Sequence, residues 1–301
     1  MLISNKNIVI CLMGPTATGK TNLAVKLAKL FPLELISVDS AMVYKNMNIG
    51  SAKPKQFHHL IDIRNPDQTY SVGDFCKDAV KLIEKIHAKN KVPLLVGGTM
   101  LYFRALQQGL SELPQANPEI RKKISLLKDP HHKLAEIDPI TAKKLHPNDL
   151  QRVERALEVY EITGTPLSEF HQTQENYLKN YAVINIALIP HNRENLKSRI
   201  EKRFLNMLKQ GLIGEVKKLL PYKDYPALKA VGYYEVCEYL LKNIDRKTMA
   251  QKATIATNQL AKRQMTWLRS WPDLNTFDPE SETLMKDVSL LLQPYIESPQ
   301  K

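Results

Sequence analysis

The 301-residue sequence predicts an α/β fold, a parallel sheet with helices on both faces, interrupted by a mainly helical insertion. Three observations predict it. Short apolar runs alternate with segments of helical periodicity, as a sheet covered on both faces requires. The runs lead into glycine-rich or small polar turns. A central stretch of about 65 residues carries helical patterns broken by proline and no strong strand. In order, Asn7–Met13 reads as a buried strand and Lys20–Leu30 as a helix with Leu23, Leu27 and Leu30 at helical spacing. Leu33–Val38 reads as a strand, Val72–Lys89 as a helix, and Val92–Val96 as a third strand ending at Gly97-Gly98. Beyond Leu113-Pro114, the pairs Asp129-Pro130, Asp138-Pro139 and His146-Pro147 break a helical region into short pieces. Tyr181–Ile189 returns to strand character. Asn195–Leu220 reads as one long amphipathic helix and Thr248–Ser270 as another. The expected organisation is a core from 1–115 and 181–301, with the insertion at 116–180.

Composition limits the class. With 43% apolar and 25% charged residues, the chain resembles an ordinary soluble globular protein. The apolar run at Ile8–Met13 is far too short to span a bilayer, and no secretory signal pattern precedes it. The sequence therefore leads to the expectation of a cytoplasmic protein without membrane association. Cys11, Cys76 and Cys237 lack metal-ligand spacing and fit a reducing compartment. The net charge of +12 is uneven: +7 over residues 1–110 (14 basic, 7 acidic), −1 over 111–184 (10 and 11) and +6 over 185–301 (19 and 13). Such an excess favours polyanions through counterion release. Any basic surface on the near-neutral insertion must then be local.

Gly14-Pro15-Thr16-Ala17-Thr18-Gly19-Lys20-Thr21 matches the P-loop pattern G-x-x-x-x-G-K-[ST] in the required strand–loop–helix context. Its backbone N–H groups and the helix N-terminus cradle phosphate oxygens. Lys20 adds a positive charge, and Thr21 offers a hydroxyl to Mg²⁺. Because parallel strands end on one side of a sheet, Asp39-Ser40 and Gly97-Gly98-Thr99 should meet the P-loop in one crevice. Asp39 is a candidate general base, magnesium ligand or helix cap. Gly97 and Gly98 suit a close backbone approach to a ligand or a plain tight turn. The strand Val92–Val96 ends without the carboxylate that ATP- and GTP-hydrolysing P-loop proteins use to help hold Mg²⁺. The motif alone points to a nucleotide such as ATP. The missing carboxylate argues against a hydrolytic motor or switch. A small-molecule kinase and a nucleic-acid-binding protein with a vestigial loop stay open at this level.

Further motifs narrow the choice. Asp39-Ser40-Ala41-Met42-Val43-Tyr44, Ile49-Gly50-Ser51-Ala52-Lys53-Pro54 and His58-His59-Leu60-Ile61-Asp62 follow the P-loop. Gly97–Tyr102, Asn148–Ala156, Val231-Gly232-Tyr233 and Gln259–Trp267 complete an ordered set over almost the whole chain. Together they resemble the tRNA dimethylallyltransferases. The resemblance implies a P-loop kinase-like core that holds the diphosphate of an isoprenoid, and transfer of a dimethylallyl group from dimethylallyl diphosphate to N6 of the adenosine 3′ of the anticodon. It implies Asp39 as base, Thr99 as positioner of the amine and Arg203 as the arginine that stabilises departing diphosphate, with Gly14 to Thr21 binding that group and Mg²⁺ at Thr21. It assigns tRNA contacts to Asp39, Ser40, Ala41, Met42 and Thr99, and to Arg121. It further assigns them to Gln151, Arg152, Val153, Glu154 and Arg155, and to Lys229, Ala230, Val231, Gly232, Tyr233 and Tyr234. Here Lys229 and Tyr234 stand where the family often has arginine. The insertion would grip the anticodon stem, and a monomer is the default expectation. Lys252 and Arg263 share a face of the last long helix, read as a solvated face more readily than as an RNA track.

Overall fold

Five segments form strands, the first four because their β-branched and leucine residues suit a doubly buried pleated surface. They are β1 (Ile8–Met13), β2 (Leu33–Val38), β3 (Val92–Gly97), β4 (Ala182–Leu188) and β5 (Leu274–Phe277). The structure, a computed structural model, describes residues 7–111, 113–170 and 176–296. All strand pairs are parallel, in the order β2-β3-β1-β4-β5. Val38 pairs with Gly97, and Met13 pairs with both Gly97 and Ala187, so the carboxyl ends of four strands share one edge.

The helices are α1 (Lys20–Leu30), α2 (Val72–His87), α3 (Met100–Gln108), α4 (Pro118–Ile124), α5 (Pro130–Ile137), α6 (Pro139–Lys144) and α7 (Leu150–Thr163). They continue with α8 (Leu167–Phe170), α9 (Arg193–Lys209), α10 (Leu212–Leu219), α11 (Tyr233–Leu240), α12 (Arg246–Arg269) and α13 (Leu284–Leu292). On one sheet face Ile8, Ile10 and Leu12 pack with Leu23 and Leu27 of α1 and with Val288 and Leu292 of α13. The alternate residues Val9, Cys11 and Met13 are equally buried, and α2 lies against β3. Both faces are therefore covered, which explains the uninterrupted apolar runs. No helix among the described residues is long and apolar enough to cross a membrane.

The chain divides into two compact units, Met1–Ala105 with Leu178–Lys301, and Leu106–Tyr177. The second unit packs α4, α5, α6 and α7 around Ile124, Leu134, Ala142, Val153, Ala156 and Leu157. Its Asp-Pro pairs are helix starts: Asp129 and Asp138 accept hydrogen bonds from the His132 and Thr141 amides, and Pro130 and Pro139 occupy the first helical positions. Asn117 caps α4 in the same way before Pro118.

Three sequence readings need correction. The predicted helix over Asn195–Leu220 is two helices, α9 and α10, separated at Gly211, whose φ of 99° no helix interior accommodates. The strand β5 escaped notice because its four residues, Leu274-Asn275-Thr276-Phe277, carry too little apolar signal. The helices α3, α11 and α13 were also missed, all being short.

Candidate active site

β1 leads directly into the phosphate loop. Gly14 sits where a Cβ would lie 2.9 Å from the Leu188 carbonyl oxygen, so no larger residue fits beside β4. Ala17 (φ 64°) and Gly19 (φ 83°) adopt left-handed conformations before α1 begins, a turn geometry that gathers backbone N–H groups into an anion-binding concavity. The Pro15 carbonyl accepts from the Thr18 hydroxyl at 2.8 Å and from Lys20 Nζ at 2.6 Å. Burial lowers the Lys20 pKa to about 7; nearby Arg203 adds to the shift and Asp39 partly opposes it. Arg203, on α9, is also lowered, by burial, with Asp39 opposing. Two basic groups thus feel one another and a single carboxylate, an arrangement that favours a polyanionic ligand.

At the end of β2, Asp39 turns the chain. Its Oδ1 accepts from the Ala41 and Met42 amides at 2.8 and 3.1 Å, closing a turn; no helix starts here, so Asp39 is not a helix cap. The Thr99 hydroxyl accepts from the Ser40 amide at 3.2 Å, joining the turns after β2 and β3. Gly97 and Gly98 are small for reasons internal to the protein. A Cβ on Gly97 would lie 2.0 Å from the Val38 carbonyl oxygen, and one on Gly98 would lie 2.4 Å from Gln264 Nε2.

These segments border two cavities in the first unit. The smaller, about 130 Å³, is lined by Lys20, Thr21, Ser37, Met42 and His58 among others. The larger, about 430 Å³, is lined by Ser40, Ser51, Thr99, Phe204, Met207 and Trp267 among others. Thr16, Asp39, Gly98, Arg203, Leu260 and Gln264 line both. The Asp39 and Arg203 side chains therefore belong to the wall between a phosphate-type compartment and a larger, mostly apolar one. His58 is only 6% exposed; its Nδ1 lies 2.9 Å from the Gln56 carbonyl oxygen and its Nε2 has no hydrogen-bond partner in the protein.

The family model described as IPP transferase matches residues 42–271, and one described as isopentenyl transferase matches residues 7–64. The chain belongs to the tRNA dimethylallyltransferase family. A curated tRNA dimethylallyltransferase of Coxiella burnetii (strain RSA 493 / Nine Mile phase I) is 48% identical, covering 94% of this chain and 97% of that protein. Another, of Thioalkalivibrio sulfidiphilus, is 50% identical with 90% of each chain covered. Among solved structures, the tRNA isopentenylpyrophosphate transferase of Bacillus halodurans is 33% identical with a TM-score of 0.71, covering 96% of this chain and 97% of that one. A eukaryotic dimethylallyltransferase described as acting on tRNA is 27% identical with a TM-score of 0.79, covering 98% and 81%. As a member of the family, the chain is a prenyltransferase of tRNA adenosine.

In this family member, Asp39, Thr99, Arg203 and the P-loop residues Thr16, Lys20 and Thr21 come to the cavity walls, as do Ser40, Ala41 and Lys229 through Gly232. Tyr234 is 51% exposed. Tyr233, unlike Tyr234, is fully buried: its hydroxyl donates to Glu215 at 2.7 Å, and its ring fills the space that a side chain at Gly50 would need. Val153 is likewise buried, in the core of the second unit. Arg121 and Arg155 both spend their guanidinium groups on Glu158, which is wholly buried. Arg121 donates through Nε at 2.8 Å and Arg155 through Nη1 at 2.6 Å. Burial raises the Glu158 pKa, but hydrogen bonds from Arg121, Arg155 and the Asn117 amide more than reverse this and hold it low. Gln151 and Arg152 remain exposed and Glu154 half-buried. Sequence reasoning missed Gln264, Leu260, Trp267 and His58 as wall residues; Arg263 is exposed, as its reading as a solvated face expects, and it also lines the larger cavity. Their signal was present, since the first three and Arg263 fall within the Gln259–Trp267 motif and His58 opens another, but spacing alone does not say which helix face meets a cavity.

Proposed function

We propose that the chain transfers a dimethylallyl group from dimethylallyl diphosphate to N6 of the adenosine 3′ of the anticodon, releasing diphosphate. The observation that carries this reading is the shared wall. Asp39 and Arg203 border both the P-loop compartment and the larger cavity. The diphosphate takes the smaller compartment, against the loop amides, Lys20 and Arg203. The extruded adenine takes the larger one, with apolar side chains against its faces. The N6 lone pair attacks the allylic carbon as the carbon–oxygen bond to diphosphate breaks. Asp39 accepts the proton that leaves N6, while Thr99, tied to the Ser40 amide, orients the amine. Lys20, Arg203 and the loop amides stabilise the charge that grows on the leaving diphosphate.

Thr21 lines the phosphate compartment and is an oxygen donor, which suits a magnesium ion that keeps several waters and leans on substrate phosphates. Among the described residues no group of three or more His, Cys, Asp or Glu forms a protein-only metal site. Bound there, Mg²⁺ supplies further charge neutralisation for the diphosphate. RNA contacts outside the cavities fall to exposed groups, among them Gln151, Arg152 and Tyr234, with Lys229 at the cavity rim. The second unit grips the anticodon stem.

The test incubates the protein with labelled dimethylallyl diphosphate, Mg²⁺ and unmodified tRNA bearing the target adenosine. The expected product is N6-dimethylallyladenosine next to the anticodon, without ATP. Label that stays off RNA, or transfer that depends on ATP, refutes the reading.

A further inference from the structure

Gln264 occupies an unusual position for an uncharged side chain. It is 7% exposed and lines both cavities. Its Oε1 accepts from the Thr16 amide of the P-loop at 3.0 Å, and its Nε2 donates to the Gly98 carbonyl at 2.7 Å. A carboxamide offers one acceptor end and one donor end, so only one orientation satisfies both partners. The contact is also close: a Cβ on Gly98 would lie 2.4 Å from Nε2. One side chain of α12 thus spans the gap between the diphosphate-holding loop and the turn that leads into Thr99. Thr99 in turn takes the Ser40 amide, and Asp39 precedes it. The strut therefore connects the residues that hold the leaving group with those that meet the incoming amine.

We propose that Gln264 is a positioning residue for transfer: its carboxamide sets the spacing between the P-loop and the Asp39–Thr99 pair. The physical argument is that in-line displacement needs attacking nitrogen, allylic carbon and leaving oxygen held in near-attack geometry. A displacement of about 1 Å costs on the order of 10²-fold in rate. The three segments that must stay in register come from distant parts of the chain, and this amide bonds two of them directly. The inference rests on the prenyl-transfer reading above.

The experiment compares wild type with Gln264→Met, which keeps length and loses both hydrogen bonds, and Gln264→Glu, which keeps the acceptor for the Thr16 amide but sets a carboxylate against the Gly98 carbonyl. Steady-state kinetics with both substrates and a thermal unfolding midpoint are measured for each. The wild-type assay is decisive for the parent reading: no transfer by wild type sinks prenyl transfer itself. Given wild-type transfer, Gln264→Met is expected to lose kcat by roughly ten- to a hundredfold, with both KM values within about threefold. Gln264→Glu is expected to lose kcat similarly and to raise KM for the diphosphate substrate alone, because its charge borders that compartment. Gly98→Ala should be non-additive with Gln264→Met, since both act through the same contact. If Gln264→Met does not fold, Gln264→Glu carries the test. Unchanged kcat in a folded variant, or a loss that only tracks the folded fraction, overturns the proposal.

Discussion

Lys20 provides a prediction whose size follows from the site. Burial and the neighbouring Arg203 lower its pKa to about 7, against an ordinary value of 10.5. Phosphate binding requires the ammonium form. In the free protein at pH 6 nearly all Lys20 is charged; at pH 7 about half is, and at pH 8 only about one in eleven. The kcat/KM for dimethylallyl diphosphate reports ionisations of the free enzyme and free substrate. It should therefore fall about fivefold between pH 7 and 8 and about tenfold between 8 and 9. On the acid side, a terminal phosphate with a second pKa near 6 makes the profile bell-shaped. The assay is initial-rate prenyl incorporation with both substrates sub-saturating, so that the free enzyme is the form that titrates, in constant ionic strength. Lys20→Arg keeps a permanent charge, so its absolute rate drops but its alkaline limb should vanish between pH 7 and 9. A wild-type profile flat over that range, or an alkaline limb that persists in Lys20→Arg, would refute the assignment. The stability linkage has the opposite sense from a paired lysine. Folded Lys20 binds fewer protons than unfolded Lys20 between about pH 7 and 10.5, so its contribution grows more favourable as pH rises through that window.

Asp39→Asn keeps the Oδ1 acceptor for the Ala41 and Met42 amides and removes the base; transfer should fall by about 10²–10⁴-fold, while tRNA affinity in a filter-binding assay stays within about tenfold. Gly97→Ala places a methyl group 2.0 Å from the Val38 carbonyl oxygen, and urea unfolding should register a loss of about 2 kcal/mol or more. Glu158→Gln leaves Arg121 and Arg155 without their buried counter-charge and should destabilise by about 2 kcal/mol in urea unfolding; because the folded Glu158 pKa is depressed, its stabilisation in wild type is present above the unfolded pKa and disappears as pH falls through the folded value.

The sequence by itself determined four of the five strands and the edge at which their loops meet. Uninterrupted apolar runs such as Ile8-Val9-Ile10-Cys11-Leu12-Met13 can only be buried on both faces, and parallel strands end on one side, so the P-loop, Asp39 and Thr99 had to converge. The Asp-Pro pairs before Pro130 and Pro139 were legible only as breaks, and the structure turns them into helix caps, with Asn117 before Pro118 a third. What the tertiary structure decided is which of the motif residues face a ligand. Tyr233 and Tyr234 are adjacent in sequence, yet one is buried against Glu215 and the other stands exposed. Arg121 and Arg155 are basic residues in the expected region, but their charge is answered by Glu158, which only the packing of α4 against α7 reveals. Gln264 is separated from Thr16 by 248 residues and from Gly98 by 166. No local propensity encodes a hydrogen bond across such distances, because it exists only once the chain has brought α12 to the edge of the sheet.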